Sequence, residues 1–314
     1  CGAEIPLVKQ FWLAKKSGKQ IAYRPVVDKA AKRVTFELLE NAALKKSGFD
    51  PNDGTVTRGD ARCPVCEQVV PANDTRRLAK EGQMGQRMVA VILHHPQQSG
   101  KRYQLATNID QRHYEQAAVY LQEKITGWPY LESPIPIEEA PPEGHRSCSN
   151  AIYGMSTWDT FFQSRQQLGL LVFLQHIKRI KPLLDNEVKA LARVGTVDTS
   201  SDELVQAIVG YLAALLDDAA TFTNNLNRWK PSSEQVIGMP RDKQSIPMMW
   251  DYVEINPISG SGGTIESVWP YKKKAIIFAS QGLLPAYVQR SDASNLPFPK
   301  DHFDVILTDP PYYD

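Results

Sequence analysis

The chain has 314 residues, 42% of them hydrophobic, and carries 36 Lys and Arg against 35 Asp and Glu, a net charge of +1. That length supports about two domains with cores of their own, and so even a balance gives no bulk sign of a nucleic-acid partner. No run approaches the ~20 apolar residues of a membrane span; the longest, LVQAIVGYLAALL at 204–216, ends at Asp217 and Asp218.

The charge is uneven along the chain. Lys9, Lys15, Lys16, Lys19, Arg24, Lys29, Lys32, Arg33, Lys45 and Lys46 crowd the first fifty residues. This is either a face for phosphate groups or an ordinary solvated surface. Within it, KQIAYRPVVD and RVTFELLE read as strands separated by turn and charge signals.

Four cysteines, Cys1, Cys63, Cys66 and Cys148, are too few for a disulfide framework in a chain of this size. CPVC at 63–66 is a knuckle whose two thiolates can share a tetrahedral Zn²⁺. Cys1, in CGAEIP, reads as one half of a second knuckle, giving a metal set of Cys1, Cys63 and Cys66 with a fourth ligand expected upstream. A lipid-anchored Cys1 finds no export signal in the rest of the chain. A thioredoxin-like site would need the pair to open a helix after a strand, which GDARCPVCEQVVPAND does not offer. Cys148, in HRSCSN, is left out of the metal set.

Residues 110–125 (DQRHYEQAAVYLQEKI) have helical spacing, and the Pro-rich 128–147 reads as a linker. A helix is expected over 156–184, with Thr157 as N-cap and Phe161, Leu168, Leu171 and Leu174 on its buried stripe. Another is expected over 200–223, opening on a Ser cap and first-turn acids that suit the helix dipole. NPISGSGGTIE at 256–266 tempts a phosphate-loop reading. No apolar strand leads into it and no strong helix is expected after it, so it reads as a flexible loop.

The chain closes on FDVILTDPPYYD, 303–314. The short β-branched run reads as a buried strand of a parallel sheet, whose carboxyl end is where open α/β sheets bind ligands. Asp309 then sits at that end, and Pro310 and Pro311 fix successive φ angles. A carboxylate, the Pro310 carbonyl and the Tyr312 ring make two acceptors beside an aromatic plane. Such a set fits a planar base with an exocyclic amino group. Hydrogen bonds to both N–H groups would free the nitrogen lone pair, while stacking worth ~1–3 kcal/mol helps offset the cost of extruding the base.

DPPYYD resembles the catalytic motif of amino-methylating DNA methyltransferases. More narrowly, CGAEIPLVKQFWLAKKSGK, CPVCEQVVPANDTRRLAKEGQMGQRMVAVI, YGMSTWDTFF, SIPMMWDYVEINP and DVILTDPPYYD resemble, in this order, putative adenine-specific DNA methylases with an inserted zinc ribbon. The resemblance implies an α/β fold. Its parts would be a partial Rossmann-like S-adenosylmethionine-dependent core, a β-rich zinc ribbon and a helical segment. It implies a ribbon over 1–76, an α/β extension and linker over 77–147, a helical region over 148–245 and part of the core over 246–314. Asp309, Pro310, Pro311 and Tyr312 would hold the target amino group, and Asp292 would contact the cofactor adenine or serve as a turn residue. The glycine-rich methionine loop of this family is not found in the sequence and would lie upstream. The chain thus reads as an internal fragment, expected to be inactive alone, of a cytoplasmic enzyme that flips adenine out of double-stranded DNA. Its setting would be restriction-modification or phage defence, with other defence proteins as partners. Methylation of cytosine N4, RNA or a protein amide, or a non-enzymatic zinc-ribbon nucleic-acid binder, are the alternatives.

Overall fold

Both stretches read as strands fold as such. β1 (Trp12–Lys16), β2 (Lys19–Asp28) and β3 (Arg33–Glu40) form one antiparallel sheet in that order. Pro25 lacks an N–H for a ladder, and it lies where β2 has outrun its β1 partner, paired only with Phe36 of β3. Across the β2–β3 ladder, Arg24 faces Glu37 and donates to its carboxylate through Nε at 2.7 Å. The computed structural model describes every residue except 96, 147, 194–200, 239–244, 282–288, 293 and 310–314. Cys1–Lys272 form one unit and Lys273–Asp314 another.

In the first unit, α1 (Asn41–Lys46) follows the sheet. Then β4 (Val56–Thr57), β5 (Asp60–Arg62) and β6 (Val69–Val70) make a second small antiparallel sheet. Next come α2 (Ala72–Lys80) and a hairpin of β7 (Ala90–His94) and β8 (Lys101–Leu105). The first core gathers Val8, Phe11, Leu13, Ile21 and Tyr23, with Tyr103 and Leu105 of β8 packed against it. Phe11 is its centre, 1% exposed and edge-on to Tyr23 at 5.3 Å. Val8 crosses the start of β4, with its N–H on Thr55 Oγ1 at 3.0 Å and its carbonyl accepting from Thr55 N at 2.8 Å. Gly54 is required at this crossing, because a Cβ there would collide with the carbonyl oxygens of Val8 and Lys9.

α3 (Asn108–Thr126) covers the helix expected at 110–125. Thr107 and Asp110 cap it reciprocally, with Thr107 N donating to Asp110 Oδ2 at 2.8 Å. The Pro-rich stretch after it has no helix, as expected, but is packed rather than spanning a gap. Ala140 is buried beside Cys148, Phe161 and Leu226, and Ala140 N donates to Ser156 O at 2.8 Å. α4 (Ser164–Arg193) begins eight residues later than expected. Thr157 precedes only a 3₁₀ turn over Trp158–Phe161 and makes no side-chain cap. The true start is set by Gln166, whose Oε1 accepts from Gln163 N at 2.8 Å.

α5 (Ser201–Phe222) packs along α4. Its Asp202–Phe222 span is long and apolar enough to cross a membrane by length and composition, beyond what the 204–216 run alone had indicated, and Val205, Leu215 and Ala219 are buried. A short hairpin of β9 (Arg228–Lys230) and β10 (Gln235–Ile237) follows. Residues 256–264 form a loop, as expected, but α6 (Ile265–Ala279) opens directly from it, taking the last two residues of the stretch. In the loop, Gly263, at φ +91°, serves packing: a Cβ there would lie 2.6 Å from the Phe222 ring.

In the second unit, the described residues beyond α6 form turns and bends and belong to no helix or strand. The run 303–308, expected as a buried parallel strand, belongs to no ladder and is exposed, with Val305 at 73% and Leu307 at 93%. All four sheets among the described residues are antiparallel. The chain is thus mixed helix and sheet, and the expected Rossmann-like parallel core is not formed among the described residues. The physical reason is pairing. A parallel strand needs neighbours reached by crossover helices, whereas the strands here are joined mostly by turns.

One buried carboxylate ties the start of the unit to its end. Glu234, in the β9–β10 turn, is paired with Lys16 of β1 and with Lys19 of β2 at 2.6 Å, and accepts from the Tyr103 hydroxyl of β8. Burial pushes its carboxyl up, but these hydrogen bonds outweigh burial and pull it down to about 2. Trp229 Nε1 adds a bond to Leu13 O at 2.6 Å. An acid with a depressed folded value stabilises the fold fully above its unfolded value near 4.5 and loses that contribution as pH falls toward 2. Thermal melts should therefore decline over that window, and Glu234→Gln should lower the melting temperature near neutrality while flattening the decline. Phe11→Ala should cost about 3–5 kcal/mol in urea unfolding.

Candidate functional site

The CPVC knuckle sits at the tip of the β5–β6 hairpin. Ala61 and Arg62 pair with Val70 and Val69, and the loop closes with Cys63 N on Gln68 O at 2.9 Å and Glu67 N on Cys63 O at 2.8 Å. Glu67 adopts φ +64°, a left-handed step that turns the chain back after Cys66. Cys63 and Val65 are buried against Val34 of β3, with Ala3, Ile5 and Val27 around them. This packing seats the knuckle on the first sheet and brings the segment that carries Cys1 to it.

The three sulfurs of Cys1, Cys63 and Cys66 lie within 4.8 Å of one another, and the Cys1 and Cys63 sulfurs are 3.8 Å apart. A tetrahedral ion with metal–sulfur bonds of ~2.3 Å, the length zinc makes with thiolate, needs sulfurs roughly 3.8 Å apart. The set therefore fits a metal ion in spacing as well as in donor type. The Gln68 backbone N–H on Cys66 holds its thiol below the usual range, burial works against this, and the Cys63 side chain adds to the lowering. A lowered thiol favours the thiolate that a metal requires. Cys148 lies in another core, against Phe161 and Leu226, with Asn150 Nδ2 at 3.8 Å from its sulfur.

The C-terminal candidates are placed less completely. Asp309 is described and exposed, whereas Pro310, Pro311 and Tyr312 lie outside the described residues. Asp292 spends its carboxylate on its own turn. Oδ1 accepts from Ser294 N at 2.9 Å and Ser294 Oγ at 2.8 Å, which holds its carboxyl below the usual range. That is the turn-residue alternative. Among the described residues no glycine-rich cradle joins Asp292, so the residues present do not fit a bound S-adenosylmethionine.

Two features of the first unit went unread in the sequence. One is the convergence of Lys101 and Glu234 on Lys16 and Lys19, which the basic run had included. The other is a cleft of about 2450 Å³ along which the 247–259 stretch runs. There Arg165 holds Glu254 through two bonds, of 2.6 and 2.9 Å, and Tyr252 donates to Gln86 Oε1 at 2.6 Å. Burial pushes the Asp251 carboxyl up, against backbone N–H groups of Asp251, Gln10 and Lys9. MMWDYVE has no helical or strand period and no ligand spacing, so nothing local distinguishes Asp251 from a loop acid.

No protein-family model, curated protein or solved structure matches this chain.

Purified protein should bind about one zinc ion per chain, measured by elemental analysis, and Cys63→Ser or Cys66→Ser should reduce this to near zero. A strong chelator should lower the melting temperature of the wild type and leave that of Cys63→Ser unchanged.

Proposed function

We propose that the protein carrying this chain is a DNA adenine N6-methyltransferase in which a structural zinc, held by Cys1, Cys63 and Cys66, braces a β-rich accessory part. One stretch, DVILTDPPYYD at 304–314, carries the reading. Its residue types supply what amino methylation of a base demands: a carboxylate and a rigid carbonyl as paired acceptors, followed by an aromatic ring. The order of the other quoted segments supports the same family.

In this reading the adenine amino group donates to the Asp309 carboxylate and to the Pro310 carbonyl. Both acceptors draw the nitrogen away from conjugation with the ring, so that its lone pair becomes available. Tyr312 stacks on the extruded base, where every purine presents a π-face. Proline at 310 and 311 removes two backbone donors and two soft torsions, which fixes the acceptors before the base arrives. S-adenosylmethionine would supply the methyl group. The zinc would take no part in the chemistry. The three thiolates, completed by the fourth ligand expected upstream, would form a closed set of the kind that contributes folding energy.

The test is nucleoside mass spectrometry on duplex DNA treated with the protein and S-adenosylmethionine. N6-methyladenine should form, and Asp309→Ala should reduce it on the order of 10²-fold or more, the usual cost of losing one preorganised contact at a reacting centre. Unmodified adenine, or full activity of Asp309→Ala, would overturn the reading. N4-methylcytosine as product would move it to the cytosine alternative.

A further inference from the structure

Lys16, Lys19 and Lys101 converge on one residue. The first two reach the Glu234 carboxylate, and Lys101 Nζ donates to the Glu234 carbonyl. Lys19 Nζ also donates to Lys101 O at 2.9 Å. Among the described residues Glu234 is the one carboxylate in an ion pair with any of them, so three ammonium groups share a single negative charge. A staple that only held the β9–β10 hairpin in place would need one cation, or two.

The third is costly where it stands. Lys101 sits over the Trp229 ring at 5.0 Å. Burial draws its ammonium below the usual lysine range, Glu234 opposes this, and the charges of Lys16 and Lys19 add to the lowering. The Lys16 and Lys19 side chains remain 39% and 30% exposed, so the excess charge faces solvent. Lys19 is itself steadied over the Tyr103 ring at 4.8 Å. Lys19 and Lys101 are held in place by rings and carbonyls, and Lys16 by the Glu234 carboxylate. An arriving anion therefore need not immobilise them.

We propose that this three-lysine cluster is a seat for the sugar-phosphate backbone of a nucleic-acid strand, formed by the β1–β2 turn, β8 and the β9–β10 hairpin. The choice of duplex DNA as the strand rests on the methyltransferase reading. A phosphate diester brings one negative charge and two acceptor oxygens, which suits spare donors on clustered ammonium groups. The Glu234 oxygens are already engaged by lysine and phenol donors, which leaves their charge partly neutralised toward the phosphate.

The experiment is fluorescence anisotropy of a labelled DNA duplex against salt concentration, with no methyl donor present. Lys101→Gln leaves no carboxylate orphaned. It should weaken binding about eight-fold near 0.1 M salt and reduce the log–log salt slope by about 0.9. The triple variant Lys16→Gln, Lys19→Gln, Glu234→Gln, which removes the carboxylate together with its cations, should reduce the slope by about 1.8. Lys101→Arg should retain the wild-type slope. Unchanged slopes in folded Lys101→Gln and triple variants would overturn the proposal. So would full displacement of duplex by millimolar inorganic phosphate at constant ionic strength, or lysine-dependent binding to anionic lipid vesicles in place of DNA. Methylation with unaltered binding by the variants would refute this seat alone. Lysine-dependent binding without methylation would refute the enzymatic reading alone.

Discussion

The arrangement of the first unit turns on a buried carboxylate held by more positive charge than it can neutralise. Glu234 comes from a turn more than two hundred residues beyond the lysines that hold it, and it fastens the last hairpin of the unit to its first sheet. Desolvating a carboxylate is unfavourable unless its lone pairs are filled. Lys16, Lys19 and the Tyr103 hydroxyl fill them. The same contacts gather cations at one edge of the sheet, so a device for holding the fold also shapes the surface.

A second constraint acts at the other side of the first sheet. Three sulfurs within 4.8 Å cannot all ionise beside one another without a cation between them. The β4–β6 sheet has strands of two or three residues and adds little apolar burial beyond Val56, Ala61, Cys63 and Val65. Elements this small need a cross-link to persist. A metal shared by Cys1, Cys63 and Cys66 would close a loop of some sixty residues, restricting the unfolded chain as well as bracing the folded one.

The proposed chemistry and the metal make different demands on the chain. The metal needs soft donors held at fixed spacing, and the hairpin loop supplies this from hydrogen bonds of its own. The amino-group site needs two acceptors with no freedom to turn away, and the sequence supplies this through proline. The lysine cluster is a third solution, in which flexible side chains are steadied by rings beneath them. Only the first of these is assembled wholly from described residues that the sequence had marked out in advance; the lysine cluster adds Lys101 and Glu234 to the marked Lys16 and Lys19.

What the sequence determined by itself was local. The strands KQIAYRPVVD and RVTFELLE, a helix over 110–125, the knuckle at Cys63 and Cys66, and the joining of Cys1 to it were all legible. Turn signals, helical spacing and the C-x-x-C pair are written in neighbouring positions. Tertiary structure decided the rest. It packed the Pro-rich stretch into a core and set Glu234 against lysines more than two hundred residues away. It left FDVILT outside any ladder, because an apolar run chooses an extended backbone from its own residues but becomes a strand only through partners elsewhere. Glu234 and Asp251 carry no local signal at all. Burial and charge at a position are sums over groups brought together by the fold, and no window of sequence contains those groups.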